Sequence, residues 1–248
     1  MNKTNRMKAF IFAAGLGTRL QPLTNNCPKA LVELNGKPLL WYAITKLLDA
    51  GISEIIINIH HFGDQIIEYI STHDFGIPIY ISDERESLLD TGGALPKAAH
   101  FFQNSSPIVI YNVDVISSVN LRQVIFYHKQ NQPLATLVVR DRVTSRYLLF
   151  DEELQLSGWK NYETGEEKIS RSSFINSCDY AFSGIQVISP ELFPLIQETG
   201  KFSIIDLYLR LAKEHPIMAY IDRSDIWIDL GKKGQLLEAE KHLSQLGY

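Results

Sequence analysis

Apolar positions along this chain keep two different rhythms. Short β-branched or aromatic runs stand at Lys8–Phe12 (KAFIF), Glu54–Ile59 (EIIINI), Ile77–Ser82, Pro107–Tyr111 and Ala135–Arg140, the pattern of strands buried on both faces. Between them, apolar residues recur at helical spacing. Pro38–Ala50 sets Leu40, Ile44, Leu47 and Leu48 on one stripe before Gly51 stops it, and Asp64–Ile70 and Leu121–Gln130 repeat the habit. Such alternation predicts an α/β fold: a mostly parallel, Rossmann-like sheet flanked by helices, with ligands beyond the carboxyl ends of its strands.

The rhythm breaks between Asp151 and Asp179, where DEELQLSGWKNYETGEEKISRSSFINSCD is polar and irregular. A small β-rich insertion, a hairpin or lid, is expected there. Strand character returns at Ala181–Ser189, a helix capped by Ser203 is expected over Ser203–Glu214, one or two strands over Ile217–Asp229, and a closing helix over Lys233–Leu246. No repeat, low-complexity tract or composition shift marks a linker, so residues 1–248 read as one domain.

Composition narrows the setting. With 45% hydrophobic residues in 248, the chain can bury a sizeable core. A formal charge of −4 creates no field that would gather nucleic acid or an anionic membrane, so neither partner is expected. Cys27 and Cys178 are the two cysteines, far apart in the chain, which supports neither a disulfide framework nor a thiolate zinc site and suits a reducing cytoplasm. The basic N-terminus followed by Ala9–Ala14 mimics an export signal, but the apolar run is too short, and nothing approaches the roughly 20 apolar residues of a membrane span.

The chemistry begins where the first strand ends, in FIFAAGLGTRLQPLT (Phe10–Thr24). Glycine tolerates positive φ and lets peptide N–H groups approach a ligand, so a strand running into Gly15-Leu16-Gly17-Thr18-Arg19 is a candidate phosphate cradle. Two familiar phosphate motifs fail. Leu20 stands where a Walker loop needs Gly-Lys and where a dinucleotide fingerprint needs its third glycine, which also removes the case for Glu33 as a ribose-binding acid.

After the turn come Arg19-Leu20-Gln21-Pro22-Leu23-Thr24, Cys27-Pro28-Lys29-Ala30-Leu31 and Gly36-Lys37-Pro38. Together these resemble the signature of the sugar-1-phosphate nucleotidyltransferases. LLDTGGALPKA (Leu88–Ala98) is similar to the segment that lines the base in that family, Asn112-Val113-Asp114 resembles its Asn-Gly-Asp metal motif, and WIDLGKKGQLLEAEKHL (Trp227–Leu243) resembles its Trp-x-Asp-x-Gly segment. Val113 departs from the family glycine.

The resemblance implies a division into a nucleotide-binding part (7–140), a sugar-binding part (141–230) and a C-terminal helix (231–248). It implies a nucleoside triphosphate and a sugar 1-phosphate as substrates, Mg2+ as cofactor, and a monomer or homodimer. Ala13, Ala14, Gly15, Leu16, Gly17, Thr18 and Arg19, with Thr91, Gly92 and Gly93, would bind the nucleotide. Lys29, Asn112 and Gly184 would bind the sugar phosphate, Asp114 and Asp229 the metal, and Arg19, Lys29 and Asp114 would carry catalysis. Gly92 and Gly93 would leave room for a flat base. His60 and His61 point to opposite faces of a strand, which leaves one for the core and the other for the base pocket. The Leu-x-Thr-Gly-Gly run is most like that of N-acetylmuramate-1-phosphate uridylyltransferases. Mannose- or heptose-1-phosphate guanylyl transfer, phosphocholine cytidylyl transfer and a non-catalytic nucleotide-binding regulatory subunit remain as alternatives.

Overall fold

The structure, a computed structural model, describes residues 7–103, 105–171, 177–231 and 233–247. In chain order the first elements are β1 (Lys8–Phe12), β2 (Glu33–Leu34), β3 (Lys37–Pro38), α1 (Leu39–Asp49), β4 (Glu54–Ile59), α2 (Gly63–Thr72), β5 (Ile79–Asp83) and α3 (Asp90–Ala98). There follow β6 (Ile108–Asn112), β7 (Val115–Ser117), α4 (Leu121–Asn131), β8 (Ala135–Arg140), β9 (Arg146–Phe150), β10 (Leu156–Asn161) and β11 (Glu167–Ile169). The chain closes with β12 (Cys178–Ile188), α5 (Ile204–Leu211), β13 (Ile217–Ile221), β14 (Trp227–Asp229) and α6 (Lys233–His242).

Strands β6, β1, β4 and β5 lie side by side in that order, all parallel. Alternation along them sorts the core into two layers. Phe10, Phe12 and Ile56 face one side with Ala94 and Leu95 of α3 and Leu207 of α5. Ala9, Ile11, Ile55 and Ile57 face the other with Leu40 and Ile44 of α1, Ile66 of α2 and Val124 of α4. The result is the mixed α/β sheet flanked by helices that the hydrophobic rhythm predicts. No helix among the described residues is long and apolar enough to cross a membrane.

The sheet changes direction at β12, which runs antiparallel to β6 and to β8. Its first residues instead pair with β9, and β9, β10 and β11 form an antiparallel extension. This is where the irregular stretch goes: Asp151–Asp179 supplies β10, β11 and the start of β12, with residues 172–176 outside the described part. Between Phe182 and Gln186 the β12/β8 register shifts, and Gly184 takes φ 74° there. Such a bulge re-aims the local peptide groups. The Ser183 carbonyl accepts a 2.9 Å hydrogen bond from the Trp227 indole N–H, so the bulge ties β12 to β14.

A third apolar cluster closes the molecule on itself. Leu20 beside the glycine turn, Leu34, Leu39, Ile228, Leu230 and Leu236 pack together, so the C-terminal helix is seated on the N-terminal loop. Strand β14 pairs antiparallel with β7, matching Trp227 to Ser117 and Asp229 to Val115, and the Leu230 N–H donates to the Asp114 carbonyl at 2.8 Å. Residues more than a hundred positions apart in the chain are thereby held on adjacent strands.

Candidate active site

A cleft of about 410 Å³ opens beyond the carboxyl ends of β1 and β6. The whole run Ala13–Arg19 lines it, together with Lys29, Asn112, Val113, Asp114 and Thr91. The turn is built on Gly17, at φ 66°, where a Cβ would stand 2.8 Å from the Thr24 methyl and 3.1 Å from Lys29 Cβ. The Thr24 hydroxyl donates to the Gly17 carbonyl at 2.9 Å, so the loop that follows is fastened back onto the turn. Arg19 is exposed, and its guanidinium lies on the backbone of Gly231: a Cβ there would meet Arg19 Nη2 at 2.9 Å.

The ammonium of Lys29 is buried and forms an ion pair with Asp114 Oδ2. Asp229, on the neighbouring strand, has its carboxyl pKa raised, first by burial and then by the negative charge of Asp114, while Lys29, Arg19 and Arg142 pull it down. These five charged groups therefore form one electrostatic cluster. Asp229 Oδ1 is buried with no hydrogen-bond partner among the described residues.

Among the described residues no group of three His, Cys, Asp or Glu side chains gathers in one place, so a metal here would rest on two carboxylates. That suits a hard cation such as Mg2+, which is commonly held by one or two carboxylates while phosphates and water fill its other positions. The unpartnered Asp229 oxygen beside Asp114 is a fitting ligand for it.

Several sequence-predicted residues are placed differently from the rest. Gly92 and Gly93 lie in the first turns of α3 and do not line the cleft. A Cβ on Gly92 would stand 2.3 Å from the Phe202 ring, and one on Gly93 would stand 2.2 Å from the Gly200 carbonyl oxygen. Their missing side chains let α3 approach the 200–202 loop. Gly184 packs on the Asn112 side chain, 2.8 Å from a Cβ position to Nδ2, and so borders the cleft through Asn112. Neither His60 nor His61 lines it; His61 is exposed, with its ring tilted against that of Phe62 at 3.9 Å.

Other cleft residues carried no motif. Asn58, buried at the end of β4, accepts hydrogen bonds from Ala13 N–H at 2.7 Å and Ala14 N–H at 3.3 Å, so those two donors are engaged within the protein. Its amide donates to Glu84 Oε1 at 2.9 Å. Glu84 lines the cleft although its side chain is almost wholly buried, and burial raises its carboxyl pKa against the pull of the Asn58 bond. Lys201 likewise lines the cleft without a motif, beside Leu88 and Asp90 of the Leu88–Ala98 segment, Gly231 of the Trp-x-Asp-x-Gly segment, Phe12 and Leu20. Asp90 takes φ 61°, a conformation that asparagine, aspartate and glycine tolerate best.

Open parallel sheets with a cleft at their carboxyl edge define the doubly wound α/β class, in which that edge is the ligand-binding side. Within it, this chain belongs to the nucleotidyl transferase family, whose model matches residues 8–245. The mannose-1-phosphate guanylyltransferase catalytic subunit beta of Xenopus tropicalis is 29% identical over 235 residues, covering 93% of this chain and 63% of its own. The chain thus spans less than two thirds of that relative. The N-acetylmuramate alpha-1-phosphate uridylyltransferase of Caulobacter vibrioides is 27% identical over 246 residues, covering 96% of this chain and 97% of its own. A solved UDP-glucose pyrophosphorylase from Acinetobacter baumanii shares the fold with a TM-score of 0.79 at 18% identity, over 96% of this chain and 93% of that one.

Proposed function

We propose that the chain transfers a nucleotidyl group from a nucleoside triphosphate to a sugar 1-phosphate and releases pyrophosphate. The observation that carries this reading is the gathering of Arg19, Lys29, Asp114 and Asp229, from widely separated parts of the chain, into one electrostatic cluster, of which Arg19, Lys29 and Asp114 line the cleft. The acceptor needs no general base, because a phosphate monoester has its second pKa near 6 and is already largely dianionic at neutral pH. The difficulty is bringing two anions together while charge builds on the leaving pyrophosphate.

Each residue answers part of that difficulty. The Gly15–Arg19 turn and the Arg19 guanidinium hold the leaving phosphates, the latter through its planar fork of donors. Lys29 bridges the transferring and incoming phosphates, leaving its Asp114 partner free to take a metal with Asp229. Mg2+ held there would neutralise charge on the transferring group. Residues 7–140 would serve the nucleotide and 141–230 the sugar.

For substrates, we assign UTP and an N-acetylmuramate-type sugar 1-phosphate in the cytoplasm, with the chain acting as a monomer or homodimer. The Leu89-Asp90-Thr91-Gly92-Gly93 run and the near-complete coverage of the uridylyltransferase relative support this choice. Guanylyl transfer is the second reading, favoured by Glu84, whose carboxyl in the cleft lining offers acceptor oxygens to the paired N–H donors of a guanine edge, as it does to the Asn58 amide. The test is product chemistry. UTP, N-acetylmuramate 1-phosphate and Mg2+ should yield the nucleotide-sugar by mass, with the yield abolished by a chelator; nucleotide binding without any product from any sugar phosphate would favour the regulatory-subunit alternative.

A further inference from the structure

Arg142, in the loop between β8 and β9, belongs to no motif, yet it is half-buried within reach of the Asp229 charge. Its guanidinium lies over the Trp227 ring with Cζ 4.3 Å from the centroid, and Nη2 donates to the Phe182 carbonyl at 3.0 Å. An aromatic face holds a cation in place without neutralising it. Arg142 Nε is buried and has no hydrogen-bond partner among the described residues, and neither has Ser117 Oγ, whose residue pairs with Trp227 across β7 and β14. A buried donor left unpaired is costly, and native structures hold few of them without a reason. Two around one tryptophan point to a ligand that completes the set.

Position says which ligand. Trp227, Asp229 and Gly231 follow one another at two-residue spacing, with Arg142 over the first, the acid at the second and Arg19 against the third. The two cationic groups therefore flank the acid along this run, and both act on its charge. In-line displacement needs that polarity: the leaving pyrophosphate departs on one side of the phosphorus and the acceptor enters on the other. Arg19 is on the side of the glycine turn. Arg142 is on the side of Phe182, Gly184 and Asn112.

We infer that Arg142, shelved on Trp227, is a binding residue for an oxyanion of the acceptor substrate, either the 1-phosphate itself or a carboxylate carried on the sugar. This rests on the reaction proposed above and adds to it the residue that holds the acceptor. Phe182 fixes one end of the fork and the tryptophan fixes its plane, which leaves the Nε–H edge for the anion.

The test is equilibrium binding by calorimetry without turnover. Glucose 1-phosphate and glucuronic acid 1-phosphate are titrated into the wild type, Arg142→Met and Arg142→Lys, with UTP as control and circular dichroism as the check on folding. Loss of a charge-assisted bond predicts that Arg142→Met weakens acceptor binding about tenfold or more, with partial recovery in Arg142→Lys and UTP affinity within about twofold of wild type. An equal loss for both probes assigns the anion to the phosphate; a loss confined to the glucuronate assigns it to the carboxylate. Unchanged binding of both probes, an equal loss for UTP, or no binding of either probe to the wild type overturns the role of Arg142. Should the methionine variant not fold, Arg142→Lys is judged by the same comparison. Pyrophosphate release is read separately: its absence with every acceptor, while Arg142 still governs acceptor binding, counts against the reaction and not against this residue.

Discussion

Lys29 and Arg19 sit in different surroundings, and their roles should separate in kinetics. Lys29 is buried against Asp114, whereas Arg19 is exposed and lies on Gly231 at the rim. Arg19→Ala should raise the KM for the triphosphate as well as slow turnover, while Lys29→Ala should act mainly on kcat, each costing about 2–4 kcal/mol by analogy with other preorganised donors. Initial-rate measurements on the two folded variants check this, and wild-type rates in either would remove that residue from the reaction. For the acids, Asp114→Asn and Asp229→Asn keep the side-chain shape and remove the charge a hard dication requires. If both serve one Mg2+, the double variant should lose little more than the worse single, because groups that act as a unit are not additive. Metal-titrated kinetics would expose fully additive losses, which contradict a shared ion. The motif residues were legible because their types and spacing match a known signature. Asn58, Glu84 and Arg142 were not: each acts through a partner that the fold brings to it from a distant segment, and no local pattern announces that.

Among the elements, α3 shows how one sequence feature can serve two readings. The paired glycines of Leu88–Ala98 read as a gap for a base, whereas Gly92 and Gly93 stand where α3 meets Phe202 and the Gly200 carbonyl. Gly93→Ala would press a methyl group against a backbone oxygen. It should therefore lower stability by about 1–3 kcal/mol, the usual cost of overpacking, while the folded fraction keeps its affinity for the triphosphate. Urea unfolding and nucleotide titration check the two halves; a large loss of nucleotide affinity at unchanged stability would favour the base-gap reading. The parallel strands and α1, α2 and α4 were legible because continuous apolar runs and single-face stripes leave little choice. The bulge in β12 was not, since it depends on pairing with β6, β8 and β9 at once. The polar stretch from Asp151 gave no period because β11 is exposed throughout, while β10 buries Leu156, Ser157, Gly158 and Asn161 without a two-residue alternation.

Across the whole molecule, the parallel sheet carries the glycine turn, the antiparallel extension carries the part proposed for the sugar, and the C-terminal segment returns to the N-terminal loop. The packing of Leu230 and Leu236 with Leu20 and Leu34 brings Gly231 to the cleft and sets Asp229 opposite Val115, beside Asp114. An α/β architecture could be foreseen from hydrophobic rhythm; this closure could not, and only the family resemblance, which puts Asp114 and Asp229 on one metal, implied it. The architecture leaves one large question, the identity of the base and sugar, in the hands of a few contacts. Pyrophosphate release from a matrix of the four nucleoside triphosphates against neutral, amino and acidic sugar 1-phosphates, with Mg2+ and with chelator, tests the account most directly. The predicted result is metal-dependent turnover with one dominant triphosphate, UTP, and an N-acetylmuramate-type acceptor. Turnover only with CTP and phosphocholine, or none with any pair, would contradict it.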